Sequence, residues 1–266
     1  MKSCVVLMYH VVDQPRSSRE TRLCCPPESF AEQMDYLQRR RYSVISLSEL
    51  ANSLRENISL PERAVVLTFD DGSACTYEQA MPILRKYRYP ATVFVISGLL
   101  GKNNEWLRDA GFPERRMLNA DEIRALEAER FDIGSHTVTH QWLARIPLSQ
   151  ARAEIRNSKA QLEDVLGHEV AHFAYPFGSY TPEVRDAVVE AGYRAACSTR
   201  WGKKHSGFEL FDLRRVEIQG KDSLLQFVLK LHAATHNMPP VPEARHLIRR
   251  GLEGMGLLRK RVSERA

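Results

Sequence analysis

Short apolar runs alternate along this chain with longer stretches whose apolar positions recur every three or four residues. The runs at 5–11, 43–47, 64–70, 91–96, 131–136, 172–177, 194–199 and 213–218 have the length of strands. The clearest, Ala64-Val-Val-Leu-Thr-Phe69, is apolar and β-branched throughout, as in a strand buried on both faces. Stretches 28–41, 48–56, 76–87, 120–129, 149–166, 181–191 and 222–236 predict helices; Tyr77, Ala80, Met81 and Leu84 mark one apolar face. Local punctuation agrees, with Ser149 as a cap and Gly167 as a stop, and with Thr181-Pro182 opening a helix that Gly192 closes. This alternation predicts a single α/β domain over residues 1–237, a distorted barrel of seven or eight parallel strands and their helices. A chain of 266 residues is ordinary for such a barrel.

Two of the predicted strands end in chemistry. Thr68-Phe-Asp70-Asp71-Gly72 supplies two carboxylates where a strand passes into a helix, and Gly134-Ser-His136-Thr-Val-Thr-His140 supplies two imidazoles. Together they suffice for one divalent metal ion and one free base, and two histidines with one aspartate suit zinc, iron, nickel or cobalt. Adjacent strand residues point to opposite sides, so one aspartate binds metal while the other faces substrate. Taken singly, Asp-Asp-Gly is an ordinary turn and cap. His-x-x-x-His lacks the glutamate of the helical zinc-protease motif, and Thr137, Val138 and Thr139 favour extended chain. Strand ends converge on one face of a barrel, and that convergence carries the functional reading.

On these motifs the chain resembles the polysaccharide deacetylases, carbohydrate esterase family 4, whose members carry Thr-Phe-Asp-Asp-Gly and His-[Ser/Thr]-x-x-His. The resemblance implies Asp70 as general base and Asp71, His136 and His140 as metal ligands. It extends to Phe173-Ala-Tyr-Pro-Phe-Gly178, similar to a third motif usually written Phe-Arg-Pro-Pro-Tyr-Gly, with Ala174 where many members place an arginine. A Leu-x-His on a last strand is missing here. Val5-Val-Leu-Met-Tyr-His10 instead resembles that motif moved to the front, as in circularly permuted exopolysaccharide deacetylases, which makes His10 the candidate general acid.

The implied reaction is metal-dependent removal of an N-acetyl group from a polysaccharide, oligosaccharide or lipid-linked glycan, with a backbone N–H near Tyr175 facing the oxyanion. The expected cofactor is one divalent ion, zinc first, with nickel, cobalt or iron as alternatives. Tyr175, Phe177, Trp142 and Trp201 are candidate sugar-stacking rings, and Arg215, near a late strand end, is a candidate for orienting a carboxylate and lining the substrate site. Residues 97–119 show no periodicity and read as a groove wall or a surface excursion. Two competing functions share the motifs: a catalytically silent glycan-binding barrel, favoured by Ala174, and a non-haem iron oxygenase with the same ligand triad.

Five cysteines without metal spacing, Cys4, Cys24, Cys25, Cys75 and Cys197, and a leading apolar run too short for a secretory signal give a cytoplasmic expectation. Residues 238–266 hold seven basic side chains against three acidic ones, +4 of the net +5 charge. Ile248, Leu252, Met255 and Leu258 follow helical spacing there, so this basic tail is a candidate for peripheral contact with anionic membrane at the inner face. The body lacks a basic stripe with interleaved aromatics, which excludes nucleic acid as a partner.

Overall fold

The computed structural model describes residues 2–205 and 209–235; the basic tail lies outside the described residues. Eight parallel strands form the main sheet: β1 (Val5–Tyr9), β2 (Ser43–Val44), β3 (Ala64–Phe69), β4 (Ala91–Val95), β5 (Phe131–Ser135), β6 (His172–Ala174), β7 (Ala195–Cys197) and β8 (Val216–Glu217). Among the described residues, seven α-helices accompany them: α1 (Pro27–Arg39), α2 (Leu47–Arg55), α3 (Met81–Tyr87), α4 (Ala120–Ala128), α5 (Leu148–Leu166), α6 (Pro182–Glu190) and α7 (Leu224–Ala233). Every predicted strand and helix is present; most strands are trimmed at their C-terminal ends, where the chain turns into the loops that carry the motifs, whereas the last loses mainly its start, Leu213 to Arg215.

The strand order is β7-β6-β5-β4-β3-β1-β8, with β2 beside the start of β3. The last segment joins both edges. Leu213 bridges Cys197 in β7, while Val216 and Glu217 pair with Leu7 and Met8 in β1. The sheet is thus curled into the single-domain, distorted (β/α) barrel that the alternation predicts.

Alternation along each strand sorts the core into two layers. Leu7, Leu67, Phe69, Val93 and Ile133 face outward onto the helices. Val6, Val66, Phe94, Ala174 and Cys197 face inward, where Leu47, Leu50 and Leu54 of α2 pack beneath them. The interior is narrow. A Cβ on Gly134 would lie 2.5 Å from Phe94, so only glycine lets β5 pass that ring. At roughly 25 cal/mol per Å² these layers supply the main driving force for closure.

Helix signals hold with one exception. The Thr181 hydroxyl caps α6, and Gly167 ends α5 at φ 80°. Ser149 is no cap: α5 begins at Leu148, after Pro147, whose fixed φ sets the start of the helix in place of a side-chain cap. All five cysteines are buried and unpaired, and among the described residues no helix is long and apolar enough to cross a membrane.

Candidate active site

The C-terminal ends of β1, β3, β5 and β6, with the segment entering β8, bring the motifs together. At the end of β3 the chain leaves extended geometry: Asp71 has φ 71° and Gly72 φ 77°. The two aspartates therefore diverge through a left-handed turn, and the simple strand pleat expected from sequence is not what separates them. A side chain at position 72 would press on Val95, its Cβ 3.2 Å from that Cα, so the turn needs glycine in both conformation and space.

His136 continues β5, its N–H bonded to Val95 O, and its Nδ1–H donates to Ala174 O at 2.8 Å. That bond fixes the tautomer and leaves the Nε2 lone pair facing Asp71 Oδ1 at 3.6 Å. The following loop turns back through Thr137 and His140, with φ 69° and 60°, and places His140 Nε2 3.3 Å from the same oxygen. Glu154 on α5 holds the loop in that shape, accepting the N–H groups of Val138 and Thr139, both at 2.9 Å, and the Thr139 hydroxyl at 2.8 Å. One ligand atom each from Asp71, His136 and His140 lies within 4.8 Å of the others, a set that fits a divalent cation.

Asp70 is buried and does not join that set. Arg215 grips both of its oxygens, at 2.6 and 2.7 Å. The guanidinium is fully buried, also donates to Ser198 O and to Thr68 Oγ1, and lies 5.5 Å over the Phe94 ring. Burial alone would push the Asp70 carboxyl up; the bidentate arginine, helped by His136 and His10, holds it below its ordinary value. Asp71 is likewise held low against burial, first by its hydrogen bond with His140. Burial lowers His136 to about 4, which keeps it neutral and ready to coordinate.

His10 follows Tyr9, which pairs with Phe69, so it stands beside Asp70 on the neighbouring strand. It interacts electrostatically with both aspartates and with Glu217, and its Nδ1 is buried without a hydrogen-bond partner among the described residues.

Two expected substrate contacts need correction. Arg215 has no exposed surface and is spent on Asp70. Tyr175 is also fully buried, stacked on Tyr180 with its hydroxyl donating to Phe211 O, and its N–H is bonded to Cys197 O. The sequence alone orients neither side chain: Tyr175 packs in the outer core layer with Phe173 and Tyr180, whereas Arg215 lies over the inward-facing Phe94. Phe177, in contrast, is 42% exposed, 4.7 Å from the His140 ring and stacked on Trp142. Trp201 is exposed and makes no ring contact with this group among the described residues.

Residues 97–119 border the site. Trp106 lies 5.3 Å from His140, and with Leu107, Phe112 and Met117 it lines a narrow cleft that reaches Asp71. The stretch is pinned by Arg115, buried among Glu20, Asp13 and the Gln14 carbonyl. Neither Trp106, Arg115 nor Glu154 carries a local sequence signal, because each acts through contacts distant in the chain. Cys75 is buried and outside the ligand set, as its helical position suggests.

Comparison with known proteins bears on family and fold. Residues 57–196 match the family described as polysaccharide deacetylase. The chain is 25% identical over 188 residues to the poly-beta-1,6-N-acetyl-D-glucosamine N-deacetylase of Staphylococcus aureus, covering 67% of this chain and 62% of that protein. Among solved structures, the Streptococcus pyogenes deacetylase PplD in complex with acetate superposes with a TM-score of 0.74 at 26% identity, covering 87% of this chain and 98% of that one. IcaB from Ammonifex degensii gives 0.72 at 27% identity over 82% and 92%. Family match, barrel and converging motifs together make this chain a member of the polysaccharide deacetylase family.

Proposed function

We propose that the chain is a metal-dependent hydrolase that removes N-acetyl groups from an amino-sugar glycan, with Asp70 as base and His10 as acid. The observation that carries this reading is the separation of the two aspartates. Asp71 faces two imidazole nitrogens, while its neighbour Asp70 is kept ionised by a buried arginine beside them.

Asp71, His136 and His140 would hold the cation, for which zinc suits the donor set; when bound it supplies Lewis-acid polarisation and a more acidic water. Asp70 accepts the proton of the attacking water, and Arg215 keeps that carboxylate charged and aimed. The Tyr175 N–H is occupied by Cys197 O, so the backbone donor for the developing oxyanion is the N–H of Phe177. His10 then protonates the departing amine, which an amide needs more than an ester does. Phe177 on Trp142 offers an aromatic shelf to a sugar ring.

The arginine missing at position 174 is the best support for a silent binding barrel, and Arg215 supplies that function from another strand. One experiment tests the reading: acetate release from N-acetylated glucosamine oligomers, without oxygen, by protein loaded with zinc or cobalt. Asp70→Asn should keep the metal and lose turnover, whereas His136→Ala should lose the metal. Turnover that requires oxygen, or full activity in Asp70→Asn, would overturn the assignment.

A further inference from the structure

Beside the ligand histidines stands a three-layer stack whose outer member the reaction does not use. Phe177 packs on Trp142 with ring centroids 3.9 Å apart and planes within 9°, and the Arg145 guanidinium lies 4.1 Å from the same indole. Two groups this close to one ring cannot share a face, so Arg145 covers one side of Trp142 and Phe177 the other. Phe177 in turn meets His140. Its backbone sits in the left-handed region at φ 58°, a strained placement of the kind that clusters at ligand clamps.

Arg145 is exposed, and no carboxylate pairs with it among the described residues. Arg116 and Arg200 differ, each being tied to a carboxylate, Arg116 to Glu122 and Arg200 to Asp212. Stacking removes much of the rotamer freedom of an arginine while leaving its N–H edge open, and that edge matches carboxylate and phosphate oxygens in pairs. From this we infer that Arg145 recognises an anionic group, a carboxylate or a phosphate ester, on the sugar next to the one that is deacetylated. The inference rests on the deacetylase reading and adds to it that the preferred glycan is charged.

A purely structural role is the alternative, in which Arg145 only presses Trp142 against Phe177. The two differ in what they do to an uncharged substrate. Three N-acetylated disaccharides of equal length serve as probes: one uncharged, one with a carboxylate and one with a phosphate monoester on the second sugar. Binding is measured by calorimetry on the Asp70→Asn protein, and acetate release on the wild type. A charged disaccharide should bind roughly three- to ten-fold more tightly than the uncharged one, and the difference should shrink in high salt. Arg145→Gln should abolish that preference through KM with kcat kept, and Arg145→Lys should restore part of it. Preference for either charged probe supports the inference and names the anion. Equal binding of all three, or equal losses on charged and uncharged probes in Arg145→Gln, overturns it. Charge preference without acetate release from any probe would sink the deacetylase reading and leave the recognition standing; acetate released with equal binding would do the reverse.

Discussion

Arg215→Met removes the cation from a pair in which neither side chain is more than 4% exposed. Its methylenes and sulfur keep most of the volume, so the change is chiefly electrostatic. Asp70 is then left buried without its bidentate partner, and Ser198 O and the Thr68 hydroxyl each lose a donor. Breaking a buried ion pair from one side costs about 3–5 kcal/mol. That is a large share of the stability of a single domain. Part of the cost disappears if Asp70 takes up a proton, because burial, which already pushes its carboxyl up, is no longer opposed by the guanidinium. Burial then acts on the carboxyl without the guanidinium to oppose it, so the base moves upward and is protonated at higher pH than in the wild type. Two measurements follow. Urea unfolding should show the stability loss, and the double substitution Asp70→Asn with Arg215→Met should recover much of it, since no charge then remains to bury. The acidic limb of kcat/KM against pH should move to higher pH in Arg215→Met, whereas Arg215→Lys should shift it less while still losing the paired geometry. An acidic limb that stays in place, with stability changed by less than about 1 kcal/mol, would refute the claim that Arg215 keeps the base ionised.

Three other outcomes can be checked. His10→Ala should depress amide cleavage more than cleavage of an activated acetate ester, measured on matched substrates; equal losses would count against its role as acid. Glu154→Ala frees the N–H groups of Val138 and Thr139 and should weaken metal binding about 10- to 100-fold in competition with a chelator, because it positions a ligand-bearing loop. His172 is buried beside Ser48 and lowered to about 4 by burial and the charges of Arg194 and Arg55. Its unfolded form takes up a proton near its ordinary value of 6.5 and the folded form does not, so stability falls as pH drops from about 6.5 to 4, by about 3 kcal/mol at most. Urea titrations across that window should be flatter in His172→Phe than in the wild type.

The architecture was legible because barrel strands buried on both faces must be apolar over their whole length, and such runs stand out from helical spacing. The cluster of Asp71, His136 and His140 was legible for a different reason: its two halves are short motifs at strand ends, and parallel strands put those ends on one face. Orientation was not legible. Tyr175 and Phe177 are both aromatic and two residues apart, yet one is sealed against Tyr180 and the other lies over His140, because Phe177 takes a left-handed turn that its residue type does not advertise. Arg215 misleads in the opposite sense. Arginine is nearly always a surface residue, and only the neighbouring Leu213 and Val216 mark its segment as buried strand.

The placement of Arg215 also shows how a strand at the front of the chain shares one site with a segment near its end. Leu213 bonds to β7 and Val216 to β1, so the residue between them is held from both edges of the sheet. From that position a long side chain reaches into the barrel's interior and meets Asp70 at the mouth. His10 reaches the same mouth from β1, the strand that pairs with β8 on one side and β3 on the other. What the proposed reaction requires is an acid, a base and a cation for the base around a closed ring of strands. A ring has no first strand, so cutting the chain elsewhere changes loop closures by well under the several kcal/mol that the buried pair is worth. The vacancy at Ala174 fits the same logic. Its carbonyl still orients His136, while the charge that residue would carry elsewhere comes from the strand that closes the ring.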